Sequence, residues 1–487
     1  MISIQAKTIA IIGAGPSGLA AAKYFRAEKA FDKIVIFEQR STSGGVWNYT
    51  PDERDEDLFT IPQMSPRGKN QDPVWKPGRH SGKGVASFLS PVYEKLETNI
   101  PRGLMGFQDL DWPEDSQLFP KHETVLQYVQ DYGKDVQDLV LYDSQVTNLN
   151  PLSDEPDSAW GVQTRNLRSQ ETHEEVFDAV VVANGHFIVP LIPDVPGIRD
   201  WNEQYPGAIS HSKYFRRPEE FAGKKVIVVG NSASGLDISS QIATVCQQPL
   251  LWSVRSPSQF GPSPDPLKQE YPPISKFIPS TRGVEFENGA IETNIDAVVY
   301  ATGYFYSLPF LEGLKPELIG NGTHVQNTYK HLFYAPRPTL SFLVLNQRVI
   351  PFPVSEAQSA LLARVYSGRL SLPSVTSMRK WESDRIAEVG DGKNFHLLLF
   401  PKDGHYINEL ADWAETAEPR DGLDNQGKGK VPPRWGKWEF WCRENFPAIR
   451  RAFVGKGEER HSIRTLEELG FVYDGMLAKD KEEEKLI

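Results

Sequence analysis

The apolar run Ile9-Ala10-Ile11-Ile12 breaks directly into Gly13-Ala14-Gly15-Pro16-Ser17-Gly18, and a looser copy, Gly230-Asn231-Ser232-Ala233-Ser234-Gly235, follows Val226-Ile227-Val228-Val229. A buried strand that turns through G-x-G-x-x-G into a helix opens a βαβ unit, so the chain is read as α/β with two Rossmann-like dinucleotide-binding domains. Gly13 lets the chain turn sharply, Gly15 lets a pyrophosphate approach the backbone, and Gly18 lets the helix lie close to the sheet. The phosphates then rest on the helix N-terminus, where free N–H groups and the dipole favour anions. Ala14, Pro16 and Ser17 complete this turn and count with it as the first cofactor site. A second strand, Ile34-Val35-Ile36-Phe37, ends at Glu38, whose carboxylate can accept both ribose hydroxyls.

The second copy differs in two places. Ser232 stands where the middle glycine would be, and the next strand, Leu251-Trp252-Ser253-Val254-Arg255, ends in a base rather than an acid. An acid there repels a 2′-phosphate, whereas Arg255 can bind it through a charge-assisted fork. NADP(H) is therefore expected on Gly230, Ser232, Ser234, Gly235 and Arg255, and a flavin or NAD on the first site. A solvated arginine at a strand end is the competing view of Arg255.

Composition excludes several classes. A chain of 487 residues can bury two or three cores, and a formal net charge of −11 leaves no basic face for nucleic acid. Cys246 and Cys442 are the only cysteines, far apart, which removes both a disulfide framework and a C-x-x-C redox pair. No apolar run reaches the about 18 residues that cross a bilayer, and the first strand starts too near Met1 for a signal peptide, so a cytoplasmic protein is expected. The charged end, Lys479 to Lys485, reads as a solvated tail.

A further echo organises the chain. Asp178-Ala179-Val180-Val181-Val182-Ala183-Asn184-Gly185 resembles Asp296-Ala297-Val298-Val299-Tyr300-Ala301-Thr302-Gly303, each suited to close a nucleotide-binding unit. The first unit is much the longer, so an insertion rich in proline and glycine is placed at about 45–135, with a helix near Thr124 to Tyr132. The expected domains are 1–205 for the first unit, 206–303 for the second, inserted within it, and 304–487 for the return plus a C-terminal extension. Ser355 and Gln358 stand like a capping-box pair after Pro351-Phe352-Pro353, which predicts a helix start there. That helix can aim its N-terminus at a flavin, with Gln358 in the cofactor site, or can be an ordinary core helix.

Between the glycine turns lies Tyr205-Pro206-Gly207-Ala208-Ile209-Ser210-His211-Ser212-Lys213-Tyr214-Phe215. It resembles the linker fingerprint of class B flavoprotein monooxygenases. With Ala301-Thr302-Gly303-Tyr304 and Thr98-Asn99-Ile100-Pro101, the chain from about Ile9 to about Leu370 looks like a flavin-containing monooxygenase of the soluble fungal type. Two departures are Tyr205, where the family usually has phenylalanine, and Phe215-Arg216, where the Baeyer–Villiger branch shows tryptophan. The second disfavours a ketone-to-ester enzyme.

The resemblance implies FAD and NADPH as cofactors, a small-molecule substrate and O2 as reactants, and oxygenation of soft N or S nucleophiles through a C4a-hydroperoxyflavin. It implies that Asn99 is the catalytic residue beside the flavin, with Thr98 next to it in the cofactor site, and that Gly44-Gly45-Val46-Trp47 wraps the flavin, with Gly45, Val46 and Trp47 in the cofactor site. It gives His211 a role in organising the linker and presenting NADPH rather than in proton transfer, and it adds Thr302 to the cofactor contacts. The competing views are an asparagine that merely caps its turn and a tight turn with a core tryptophan. Alternatives for the whole chain are an amine N-hydroxylase, a Baeyer–Villiger enzyme, or an FAD- and NADP(H)-binding redox sensor; a disulfide reductase would need paired cysteines. No nucleic acid and no membrane span are expected, and a homodimer is left open.

Overall fold

In a computed structural model, residues 1–51, 59–68, 70–77, 84–257 and 265–475 are described. The charged tail at 479–485 and parts of the proline-rich insertion lie outside them. The first sheet grows from β1 (Thr8–Ile12), which enters α1 (Pro16–Ala27) and returns as β2 (Lys33–Phe37). Two later strands, β3 (Val140–Leu141) and β4 (Ala179–Val182), join in parallel on either side. From Ile9 to Ile12 β1 is apolar and buried because both its faces are covered. Ile9 and Ile11 pack into a core shared with α1, while Ala10 and Ile12 face a second core under an antiparallel meander, residues 144–177.

Between Ala183 and Gly303 the chain builds a separate five-stranded parallel sheet. Its strands are β5 (Ile209–His211), β6 (Val226–Val229), β7 (Leu250–Ser253), β8 (Lys268–Tyr271) and β9 (Ala297–Tyr300), in the order β5-β9-β6-β7-β8. The two connections to the first sheet lie against each other, Val189–Pro190 pairing antiparallel with Tyr304–Phe305. The chain then completes the first sheet with β10 (Thr328–Tyr329), β11 (Phe333–Tyr334) and β12 (Leu340–Phe342), giving the order β10-β11-β12-β4-β1-β2-β3.

Helices position the rest. In the insertion α2 (Arg102–Met105) follows the Asn99 turn directly, and α3 (His122–Tyr132) lies over the glycine-rich loop at 44–47. In the second unit α4 (Ala233–Ala243) follows the Gly230 turn. The long buried α5 (Pro351–Tyr366) packs along α1, whose Ala20, Ala21 and Ala22 allow a close approach. It starts one turn before the pair expected to cap it, with Pro351 in the first turn, where a missing N–H costs nothing. Ser355 is interior and donates to the Phe352 carbonyl at 2.7 Å.

The C-terminal extension forms α6 (Val375–Val389), α7 (Lys402–Glu415) and α8 (Lys437–Gly455). Its aromatic cluster faces inward: Trp435 and Phe440 crowd Gly404, and the Trp438 ring lies 3.0 Å from where a Cβ of Gly103 would stand. The extension therefore touches α2, next to the Asn99 turn. Among the described residues no helix is long and apolar enough to cross a membrane.

Candidate active site

The two glycine turns fold alike because the same backbone constraint acts on each. Gly13 has φ +105° and Gly230 φ +113°, and a Cβ on either would strike a carbonyl, Ala183 O at 2.7 Å or Ala301 O at 2.6 Å. Only glycine adopts that backbone without strain. A Cβ on Gly18 would stand 1.9 Å from Gly13 O, and one on Gly235 2.3 Å from Gly230 O. Helices α1 and α4 begin at Gly15 and Ser232 with no side-chain cap on either. Their first N–H groups are thus left for an outside acceptor, as pyrophosphate binding requires.

Around the first turn the structure assembles a cradle. Gly44 N–H donates to the Ala14 carbonyl at 2.9 Å, and Gly45 lies so close that its Cβ would fall 2.9 Å from the Gly15 Cα. Asn48 shapes this loop by donating to the Ser43 and Gly45 carbonyls, and Ser90 donates to that of Val46. Trp47 packs half-buried against the main core. Pro16 and Ser17 open α1 half-buried. Glu38, directly after β2, is buried; it accepts from Ala14 N–H at 2.7 Å and from Arg40 N–H at 2.8 Å. Burial pushes its carboxyl up, and those backbone donors draw it back. A second acceptor pair on each carboxylate oxygen remains for ribose hydroxyls.

In the second unit Ser232 and Ser234 are exposed at the start of α4, and Arg255 is exposed two residues beyond β7. Asn231 of the turn donates to the Ser256 carbonyl, which holds the Arg255 segment beside the turn. Thr302 is engaged elsewhere: its hydroxyl donates to the Leu191 carbonyl and locks the two connections together.

His211 ends β5 fully buried. Its Nδ1 accepts from Lys213 N–H at 3.1 Å, and its ring meets Tyr304 edge to face. Burial pushes the imidazole down to about 3, so it is neutral near pH 7. It sits at the joint between the units, with no acid beside it among the described residues.

The Asn99 turn is braced by its neighbour. Thr98 donates from Oγ1 to the Ile100 carbonyl at 2.9 Å and from its N–H to the Pro120 carbonyl at 2.9 Å. The half-buried Asn99 carries no side-chain hydrogen bond among the described residues, so its amide is not the cap of this turn.

Gln358 takes no such place. Its amide accepts from Val344 N–H at 2.8 Å and donates to Asn346 Oδ1 at 3.1 Å and the Tyr406 hydroxyl at 3.0 Å, so it is spent inside the core. The neighbouring buried Asn346, past the end of β12, has an Nδ2 without a partner among the described residues. Sequence reasoning missed it, since its burial depends on contacts with α5. Also missed was Arg216, which is buried at the joint and donates to the Val92 and Lys213 carbonyls, tying the insertion to the linker.

The geometry fits two dinucleotides, and the comparisons agree. The profile of the flavin-binding monooxygenase-like family matches residues 62–259 and 275–415, and that of an NAD(P)-binding Rossmann-like domain matches 11–67. Flavin-containing monooxygenase ustF2 of Aspergillus flavus is 29% identical, over 92% of this chain and 99% of its own. Flavin-containing monooxygenase FMO GS-OX-like 2 of Arabidopsis thaliana is 34% identical over 84% of each chain. Among solved structures, S-allyl-L-cysteine S-oxygenase from Allium sativum has a TM-score of 0.72 and 26% identity, with both chains covered in full.

Proposed function

The chain belongs to the flavin-binding monooxygenase-like family, and from that premise we propose that it oxygenates the sulfur or nitrogen of a small soft nucleophile. It is an oxidoreductase with FAD and NADPH as cofactors. FAD held by the Gly13–Gly18 turn and reduced by NADPH would supply the chemistry, activation of O2 with one oxygen atom going to the substrate and the other leaving as water.

The residues divide the remaining work. Gly13 to Gly18 and the start of α1 hold the flavin nucleotide's pyrophosphate, Glu38 its ribose, and Gly45 to Trp47 close over it. The unit at 206–303 holds NADPH, with Gly230, Ser232, Ser234 and Gly235 on the pyrophosphate and Arg255 on the 2′-phosphate. Asn99 donates its amide to the activated oxygen and to the nicotinamide. A neutral donor suits this task, because a base at that point would draw off the proton and release peroxide. His211, neutral and enclosed, keeps the joint between units in shape and moves no proton.

The observation that carries this reading is the uncommitted amide of Asn99 on a turn that Thr98 already closes. The full-length likeness to an S-oxygenase supports sulfur as the first substrate class to try. The test is a panel of thioethers, thiols, tertiary amines and a cyclic ketone, with 18O2 and NADPH supplied to the FAD-loaded protein. The expected result is one labelled oxygen on sulfur or nitrogen. A lactone from the ketone as main product, or no labelled product at all, would overturn the proposal.

A further inference from the structure

The segment that ends in the Asn99 turn is gripped from two sides. On the side of the NADPH unit, the Tyr93 hydroxyl donates to Asp237 on α4, Arg216 donates to the Val92 carbonyl, and Glu94 N–H donates to the Arg216 carbonyl at 2.9 Å. Burial pushes the Asp237 carboxyl up and the Arg450 charge pulls it back.

On the other side stands the C-terminal extension. Glu97, two residues before Asn99, has a side chain only 6% exposed and faces three basic groups from the extension. Arg460 Nε lies 3.2 and 3.3 Å from its two oxygens, Arg450 Nη1 3.5 Å and His461 Nδ1 3.5 Å. Gln117 donates to Glu97 Oε1 at 3.1 Å, and Leu118 N–H donates to the Ile463 carbonyl at 2.8 Å. The Arg450 guanidinium also lies over the rings of Phe119 and Phe453, at 5.0 and 5.4 Å. A carboxylate this enclosed is costly to bury alone, so its partners fix its place and with it the main chain beside it. That main chain pairs with 120–122 through Thr98 N–H to Pro120 and His122 N–H to the Leu96 carbonyl.

We propose that Glu97 is a positioning residue through which Arg450, Arg460 and His461 of the C-terminal extension hold the Thr98-Asn99 turn in place against the NADPH unit. The extension thereby takes part in the active site without touching substrate. This rests on the reading of Asn99 given above only for its effect on oxygenation; the holding of the turn stands on the contacts alone.

The test uses the FAD-loaded full chain and reads two things: amide hydrogen exchange over 96–105, and peroxide formed per NADPH consumed. In Glu97→Gln the amides of Thr98 and Arg102 should exchange about tenfold faster, as for a locally opened element, and peroxide yield should rise severalfold. Arg460→Gln, a milder change should the first variant fail to fold, should move both in the same direction, and Arg460→Lys should restore most of the difference. Unchanged exchange in Glu97→Gln or in a folded Arg460→Gln overturns the proposal whatever the activity. Faster exchange with normal coupling, in a protein whose Asn99→Ala variant does leak peroxide, overturns it too, because the turn would then not need holding. Faster exchange while neither variant leaks upholds the hold on the turn and refutes the role of Asn99 instead.

Discussion

Replacing Gly18 by alanine sets two opposed effects against each other in one methyl group. Alanine is the better helix former by about 1 kcal/mol, which favours the variant. Its Cβ, however, would stand 1.9 Å from the Gly13 carbonyl oxygen and 3.4 Å from the Ile11 side chain. Comfortable contacts lie near 3.5 Å, so the start of α1 has to retreat by roughly 1.5 Å from a turn fixed on its other side by β1 and Ala183. The obstacle is backbone, not a movable side-chain end, so the top of the overpacking range, about 3 kcal/mol, applies and the steric effect wins. The retreat also draws the uncapped N–H groups of α1 away from a pyrophosphate, where charge-assisted bonds contribute about 1.5–3 kcal/mol each. FAD affinity should fall by about 30- to 100-fold, a loss of about 2–3 kcal/mol. Flavin per chain after gel filtration, together with titration of the apoprotein by flavin fluorescence, measures it. Gly235→Ala is the matched control, with its Cβ 2.3 Å from Gly230 O, and should weaken NADPH while FAD stays bound. A Gly18→Ala protein that binds FAD within about twofold of the parent would refute the close-packing argument.

Arg255→Ala should raise KM for NADPH about tenfold and leave NADH nearly unchanged, since only the 2′-phosphate meets the guanidinium; equal losses for both would remove the residue from the site. Asn99→Ala should keep its flavin and its fold but divert most NADPH oxidation to peroxide, read by a peroxidase-coupled assay; normal coupling would exclude the amide. Burial lifts the Glu356 carboxyl to about 7, against hydrogen bonds from Gln108 N–H and the Tyr132 hydroxyl. The folded protein holds that proton where the unfolded chain has lost it, so between pH about 4.5 and 7 stability falls as pH rises, by up to about 3 kcal/mol from this group. Glu356→Gln should thus gain on the parent in urea melts at pH 8 and show no gain at pH 4.5; a pH-independent difference would contradict the assignment.

What the sequence discloses here is what chemistry imposes locally. Gly13, Gly18, Gly230 and Gly235 are legible because no other residue fits a carbonyl at such distances. The Ser355 and Gln358 pair misleads for the opposite reason. Its spacing is that of a local cap, yet Gln358 is held by Val344, Asn346 and Tyr406, which no local pattern announces. The extension is the extreme case: Glu97 and Arg460 are ordinary surface residues in sequence, and only the packing of Trp438 on Gly103 and of Arg450 on Phe119 brings them together.

These long-range contacts bear on how two cofactor units can cooperate. A unit joined only by Val189–Pro190 and Tyr304–Phe305 would be free to swing about that pair of strands. Thr302 fixes one connection to the other, and Arg216 and the Tyr93–Asp237 contact fasten the second unit to the insertion at a separate place. Two attachment points separated in space restrict rotation far more than one. The insertion is in turn fastened to the extension through Glu97. Hydride transfer and oxygen transfer need different groups near the flavin at different moments, whereas retention of an activated oxygen needs a donor that does not wander. On the role proposed for Asn99, a turn clasped between α4 and the C-terminal extension meets that need, so loosening either clasp should cost coupling before it costs cofactor.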